Sequence, residues 1–441
     1  MAESSSTSST VLHVLPNGVR VLALPLPHLR TAAVSVYVRS GSAHETRPQA
    51  GLTHFVEHML FKGTHGRDAR RINRDAERLG AEANAHTDKD HLALHLRGLG
   101  EHVPEFVAQL ADLVLHSTFP ADEVERERQV LLHEMTEVDD DPMATAFKLF
   151  DSASWGLHAV ARPVIGERRL VERHTREQLL ALVRERFTAP NIVVVAAGGF
   201  DPKRLREASV RAFADAPPGE PARLEAPVWH GGVKSRDLPG SVQTHLVMGF
   251  PLPSLAEADP GAALAAAVFG EGMGSPLMDE LRERRALLYY AACAADQFES
   301  CGQFVVEAST APAQVHEASG EVLRLLQAHA RAVDADDFER GRQQLVVRRL
   351  RAAEDPSRLA EDAALELLAR GSVTPIERWL EGTRRLTPED LRTRYAAMLA
   401  RRPALALTGK VPRGMAAQLR ERWEGHGTAP VPARRRMRLF R

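Results

Sequence analysis

Cysteine is nearly absent: Cys293 and Cys301 are the only two in 441 residues. Two thiols build neither a disulfide framework nor a cysteine-rich zinc site. No apolar run approaches the ~20 residues of a membrane-spanning helix; the longest are Ile192–Ala197 and Ala262–Phe269. Excess charge of one sign is also missing, since 57 basic and 58 acidic residues leave −1. That excludes a strongly basic nucleic-acid binder and a strongly acidic tail protein as descriptions of the whole chain. Aromatic residues make up only 5%, yet 44% of the chain is hydrophobic. That is enough for a full core and excludes a largely disordered chain. The start, Met1 to Thr10, has neither the basic flank nor the apolar stretch of a secretory signal, and no Arg-rich transit segment follows. A cytoplasmic protein with no membrane and no nucleic-acid partner is the expectation.

What is present is a long alternation of strand and helix signals. Length suggests two to four domains of roughly 100–200 residues each. Val11–Leu24 alternates around a Pro16-Asn17-Gly18 turn, and Thr31–Arg39 reads as a strand. Gly51–Leu60 and Ala69–Leu79 have helical periodicity, and Glu82–Arg97 alternates again. Val103–His116, Pro120–Val138 and Arg176–Phe187 read as helices, and Asn191–Phe200 as a buried strand. Ala214–Gly240 is rich in Pro and Gly and reads as a linker. After it the order restarts. Strands at Gln243–Phe250, Gly302–Ser309 and Ala404–Thr408 alternate with helices at Pro260–Phe269, Ala313–Val333, Ala335–Ala353, Pro356–Ala369 and Pro388–Leu399. The expected fold is α+β, with two homologous-looking halves, each a mainly antiparallel sheet packed with helices. The expected boundaries are 11–213, a linker at 214–240, and 241–426, with 1–10 and 427–441 flexible.

His54-Phe55-Val56-Glu57-His58 falls in the helix Gly51–Leu60. Histidines four apart present two imidazoles one turn apart on one face, a spacing that suits two ligands on one zinc ion. Glu57, three residues after His54, reaches the edge of that face and a metal-bound water without ligating the metal. The order inverts the commoner His-Glu-x-x-His motif. A catalytic zinc takes three protein ligands and leaves a fourth position for water. The helix Pro120–Val138 offers Glu127 and Glu134, two turns apart on one face. One would ligate while the other supports a histidine ligand, and spacing alone leaves open which. His91 and His95 fall in a strand, both facing one side about 13 Å apart, too far to share a metal. Gly270-Glu271-Gly272-Met273-Gly274 lacks the full dinucleotide fingerprint. Asp139-Asp140-Asp141 reads as a solvated helix end.

Gly51-Leu52-Thr53-His54-Phe55-Val56-Glu57-His58-Met59-Leu60-Phe61-Lys62-Gly63-Thr64 resembles the signature of the pitrilysin family of inverted-motif zinc peptidases. Leu79–Thr87, Glu127–Glu134, Pro163–Gly166 and Ala197–Asp201 match as well. The resemblance implies zinc on His54, His58 and Glu134, with Glu57 as general base and Glu127 as a supporting acid. It places Asn84 and Ala85 on the strand that pairs with extended peptide substrate. Leu281–Tyr289 resembles the family's Arg-and-Tyr segment, so Arg282 or Tyr289 would stabilise the oxyanion; seven apart, the two fit one helix face. Ala286 stands where a glycine is usual, and Ser275-Pro276-Leu277 departs from the usual Ser-Arg-Leu. Family members of this size work as dimers enclosing a chamber. The resemblance therefore implies a zinc endopeptidase acting on short or unfolded polypeptides as a homodimer, with Arg282 and Tyr289 serving the partner's zinc. A heterodimer with a related subunit, or a non-catalytic scaffold that binds peptides, is the alternative.

Overall fold

A computed structural model describes residues 10–424. The expected flexible tails, 1–10 and 427–441, lie outside the described residues, Thr10 aside. The first sheet has six strands: β1 (Val11–Val14), β2 (Arg20–Pro25), β3 (Thr31–Val38), β4 (Glu82–Thr87), β5 (Leu92–Leu99) and β6 (Ile192–Gly198). Their order is β1-β2-β6-β3-β5-β4. The second sheet contains β7 (Gly232–Asp237), β8 (Thr244–Leu252), β9 (Tyr290–Gln297), β10 (Gly302–Thr310) and β11 (Ala404–Gly409), in the order β7-β11-β8-β10-β9. Each sheet is antiparallel except for one pair, β2 with β6 and β7 with β11. Residues 214–231 carry neither helix nor strand, but β7 lies inside the segment read as a linker and forms an edge of the second sheet.

The inner face of the first sheet packs under helices of its own half. Val34, Val36, Leu94, Val194 and Ala196 meet Phe55, Val56, Phe106 and Leu110. The outer face does not. Leu22, Tyr37, Val193 and Val195 are covered by Ala360, Ala363, Ala364 and Leu367 of the helix Pro356–Arg370, which follows β10 in the second half. The exchange is mutual. Ala146, Phe150 and Ala153 of the helix Pro142–Trp155, from the first half, cover Val247, Val305, Ala404 and Ala406 of the second sheet. Burial on both faces explains why β6 is an unbroken apolar run instead of an alternating one.

Helices Pro142–Trp155, Pro202–Ala212 and Ile376–Arg385, and strand β9, are additional to the elements read from the sequence. Asp141, exposed at the end of the helix Ala121–Asp140 as expected, also starts the exchanged helix: its carboxylate accepts the N–H groups of Met143 and Ala144. Among the described residues, no helix is long and apolar enough to cross a membrane.

Candidate metal centre

The helix Leu52–Leu60 turns Leu52, Phe55, Val56, Met59 and Leu60 into the core, leaving His54, Glu57 and His58 on its other side. It starts without a side-chain cap of its own, at Gly51 with φ of +90°. Ile165 O would lie 2.9 Å from a Cβ there, so only glycine fits both the backbone and the space. The orphaned N–H groups of the first turn go instead to Glu45. Its buried carboxylate accepts from Gly51 N at 2.9 Å and Thr53 N at 2.6 Å. Burial pushes that carboxyl up to about 7, against the pull of these two N–H bonds.

The helix Ala121–Asp140 lies alongside. Arg128 anchors it by donating to the carbonyls of Val171 and His174 and stacking 5.4 Å above the Phe55 ring. This packing brings the two sequence stretches together. One donor atom from each of His54, His58 and Glu134 lies within 4.8 Å of the others. His58 Nε2 is 3.6 Å from Glu134 Oε2, and its Nδ1 is 3.1 Å from Glu127 Oε2. Glu134 thus lies with His54 on the Nε2 side of His58, and Glu127 on its Nδ1 side. The other oxygen of Glu127 takes an ion pair from Lys62 at 2.6 Å.

The charges follow from these contacts. Burial, and then the neighbouring His58, push His54 down to about 3, leaving a neutral ring suited to ligation. His54 Nδ1 is buried and has no hydrogen-bond partner. Burial also works against a charged His58, but the hydrogen bond to Glu127 and the fields of Glu134 and Glu57 outweigh it and raise its pKa. Burial likewise raises Glu57, partly offset by the Thr87 hydroxyl, which donates to Glu57 Oε2 at 2.6 Å. Two imidazoles and a carboxylate, all half-buried, are the donor set of a zinc site that leaves one position for water, so the residues present fit that ion.

Asn84 and Ala85 lie on β4, an edge strand whose far side has no partner strand among the described residues. Asn84 is exposed and its Oδ1 accepts the N–H of Ala85 at 2.9 Å. Arg282 and Tyr289 do not share a helix face. The helical turn Asp279–Arg284 ends before Ala286, which has φ of +50°, and Tyr289 N already donates to Ser309 O ahead of β9. Arg282 contacts Met273 and Glu283, and Tyr289 is 60% exposed. Neither contacts the His54–His58–Glu134 set. Sequence reading gave no role to Glu45, Lys62 or Thr87. The last two stand inside the quoted motifs, but only packing tells what they touch.

Residues 20–168 match the family described as insulinase, peptidase family M16, and residues 173–345 match the peptidase M16 inactive domain. The chain belongs to the M16 peptidase family. A protein named an uncharacterized zinc protease in Mycobacterium tuberculosis is 33% identical over 410 residues, 90% of this chain and 92% of the relative. Another of that name in Streptomyces coelicolor is 29% identical over 420 residues, 92% and 91% of the two chains. Among solved structures, the peptidase M16 inactive domain from Pseudomonas fluorescens superposes with a TM-score of 0.83 at 20% identity, covering 92% of this chain and 98% of that one.

Proposed function

We infer that the protein is a zinc endopeptidase that cuts short or unfolded polypeptides. The observation that carries the reading is the convergence of His54, His58 and Glu134 from two distant helices, with Glu57 held beside them by Thr87. Zinc held by those three residues would supply Lewis acidity and lower the pKa of a bound water toward ~7. Glu57 Oε1, the oxygen not engaged by Thr87, takes a proton from the attacking water and delivers it to the leaving amine. Glu127 holds His58 in one tautomer, and Lys62 fixes Glu127. The free edge of β4, with Asn84 and Ala85, accepts the substrate main chain as an added strand.

Residues 11–213 form the zinc-binding half and 232–424 the half carrying Arg282 and Tyr289. Both of those side chains are exposed in the single chain, which supports a homodimer in which each subunit completes the other's oxyanion site. The second reading is a scaffold, alone or as one subunit of a heterodimer, that binds peptides without cutting them.

A proteome-derived peptide library incubated with the zinc-loaded wild type and with Glu57→Gln separates the two. The expected outcome is cleavage by the wild type, a ~10²–10⁴-fold loss in Glu57→Gln, and unchanged zinc content. Zinc-loaded wild type that cuts nothing, alone or with a partner, supports the scaffold. A mixed dimer of Glu57→Gln and Tyr289→Phe is expected to regain one complete site; no recovery places the oxyanion donors within one subunit.

A further inference from the structure

Behind β4, on the face turned away from Glu57, lies a second polar cluster with no part in the chemistry above. His91 and His95 do not touch, but a third histidine joins them. Ser35 Oγ is 2.7 Å from His95 Nδ1, and His95 Nε2 is 3.0 Å from His86 Nδ1. His86 Nε2 is 3.1 Å from His91 Nε2, and His91 Nδ1 is 2.7 Å from Asp90 Oδ1. The other Asp90 oxygen accepts the main-chain N–H of Glu299, in the turn between β9 and β10, at 2.7 Å. Ser35, Asp90 and His91 are buried. The buried Tyr37 ring lies 5.5–6.5 Å from all three imidazoles.

We propose that Ser35, His95, His86, His91 and Asp90 form one directional hydrogen-bonded chain that ties β4 to the second half, making His86 a positioning residue for the peptide that β4 accepts. The proposal rests on the reading of β4 given above. Its logic is proton counting. Each nitrogen–nitrogen contact needs one hydrogen, neither two nor none. Asp90 as a carboxylate requires the proton of a neutral His91 on Nδ1. His86 then donates from Nε2 to His91, His95 donates from Nε2 to His86 Nδ1, and the Ser35 hydroxyl donates to His95 Nδ1. Every group is satisfied with one net charge, on Asp90. One further proton, on His91 Nε2, reverses the donor at the three contacts from His91 to Ser35, leaves His91 Nδ1 donating to Asp90, and breaks no contact. A second further proton sets two N–H groups against each other.

The groups facing the chain are Asp88 and Asp90 from the β4–β5 turn, Glu361 from the helix Pro356–Arg370, Tyr37 from β3, and His44 near Asp90. Burial, then the neighbouring histidine, push His86 down to about 4 and His95 to about 3. The added proton therefore belongs to His91, whose pKa Asp90 raises against burial.

Two measurements on the full-length protein test this. Nitrogen-15 spectra of the histidine rings should show His86 and His95 both as Nε2–H tautomers, switching together to Nδ1–H when His91 becomes doubly protonated. Tautomers that put two hydrogens or none in either contact overturn the chain. Separately, His86→Leu and His86→Gln are made in a zinc-loaded Glu57→Gln background, and binding of a fluorescein-labelled unstructured peptide is read by anisotropy. Leucine should weaken binding about 2- to 12-fold, the equivalent of one lost hydrogen bond, with zinc content unchanged. Glutamine, which keeps one acceptor and one donor, should recover most of it. Leucine at full peptide affinity in a folded, zinc-loaded protein overturns the positioning role. Wild type that binds peptide but never cleaves it overturns only the peptidase reading.

Discussion

The two halves follow one course and differ where the His54–His58–Glu134 cluster sits. Strands β2-β6-β3-β5-β4 of the first sheet correspond to β7-β11-β8-β10-β9 of the second, with the parallel pair in the same place. In each half a helix precedes the edge hairpin: Leu52–Leu60 before β4, and Pro260–Gly270 before β9. Each half then runs a 20-residue helix into an aspartate cap and a proline-started helix that crosses to the other sheet. The first helix leaves His54, Glu57 and His58 half-buried on the side away from the core. Its counterpart buries Leu264, Ala265, Ala266, Ala267 and Val268. In the first half Glu127 of the long helix meets His58. In the second, Gly341 of the long helix packs so closely on Val268 that a Cβ would lie 2.6 Å from its Cα. One frame therefore supports two outcomes: helices held apart by polar groups that can hold a metal, or helices closed on each other by small residues.

The exchanged helices give the largest test, since they decide whether the halves are separable at all. Phe150 is buried from the first half's chain into the second half's sheet. Phe150→Ala is expected to cost about 3–5 kcal/mol. Chemical denaturation, read by tryptophan fluorescence and circular dichroism together, should still give one transition. Two separated transitions would show halves that fold independently and break the comparison at its root.

Much of this frame is legible in the sequence, and the misses have causes. The motif helix, the glutamate helix and most strands follow from period and capping. The helix Pro142–Trp155 escapes because Asp139-Asp140-Asp141-Pro142 reads as a stop, whereas Asp141 ends one helix and caps the next. Its apolar face has its counterpart on the second sheet, on strands that come much later in the chain, at Val247, Val305, Ala404 and Ala406, which periodicity does not reveal. β9 escapes for lack of β-branched residues: Ala291, Ala292, Cys293, Ala294 and Ala295 carry little strand preference, and pairing with β10 supplies the order. At the site, spacing marked two glutamates but not their roles, because Glu127 and Glu134 differ only in which side of His58 each one faces.

A second test strikes the polar side of the comparison. Glu127→Gln keeps the shape but removes the anion that His58 and Lys62 share. Zinc affinity, measured by competition with a chelator, is expected to fall about 10–100-fold. Lys62→Met, which leaves Glu127 on His58, should lower it less. Affinity unchanged in Glu127→Gln would mean that His58 needs no support from behind. The closed side has its own test. Gly341→Ala should destabilise by about 1–3 kcal/mol through overpacking against the Val268 backbone, with zinc affinity unchanged. A loss of zinc in that variant would show that the two helix pairs are coupled across the molecule.

The smallest effect concerns Ala286, the residue between the Arg282 turn and Tyr289. It holds φ of +50°, in the left-handed region that disfavours a side chain by roughly 1–2 kcal/mol. That conformation is what breaks the helix after Arg284 and separates the two side chains that spacing had placed on one face. Glycine adopts it without strain, but it also leaves the unfolded chain more freedom. The two effects oppose each other, and the net expectation for Ala286→Gly is a gain of up to about 1 kcal/mol, read from the denaturation midpoint. No position in the first half is touched, so zinc content should stay constant. A loss of stability instead would mean that this turn is not strained, and that the break before Tyr289 comes from the buried Leu287 and Leu288 alone.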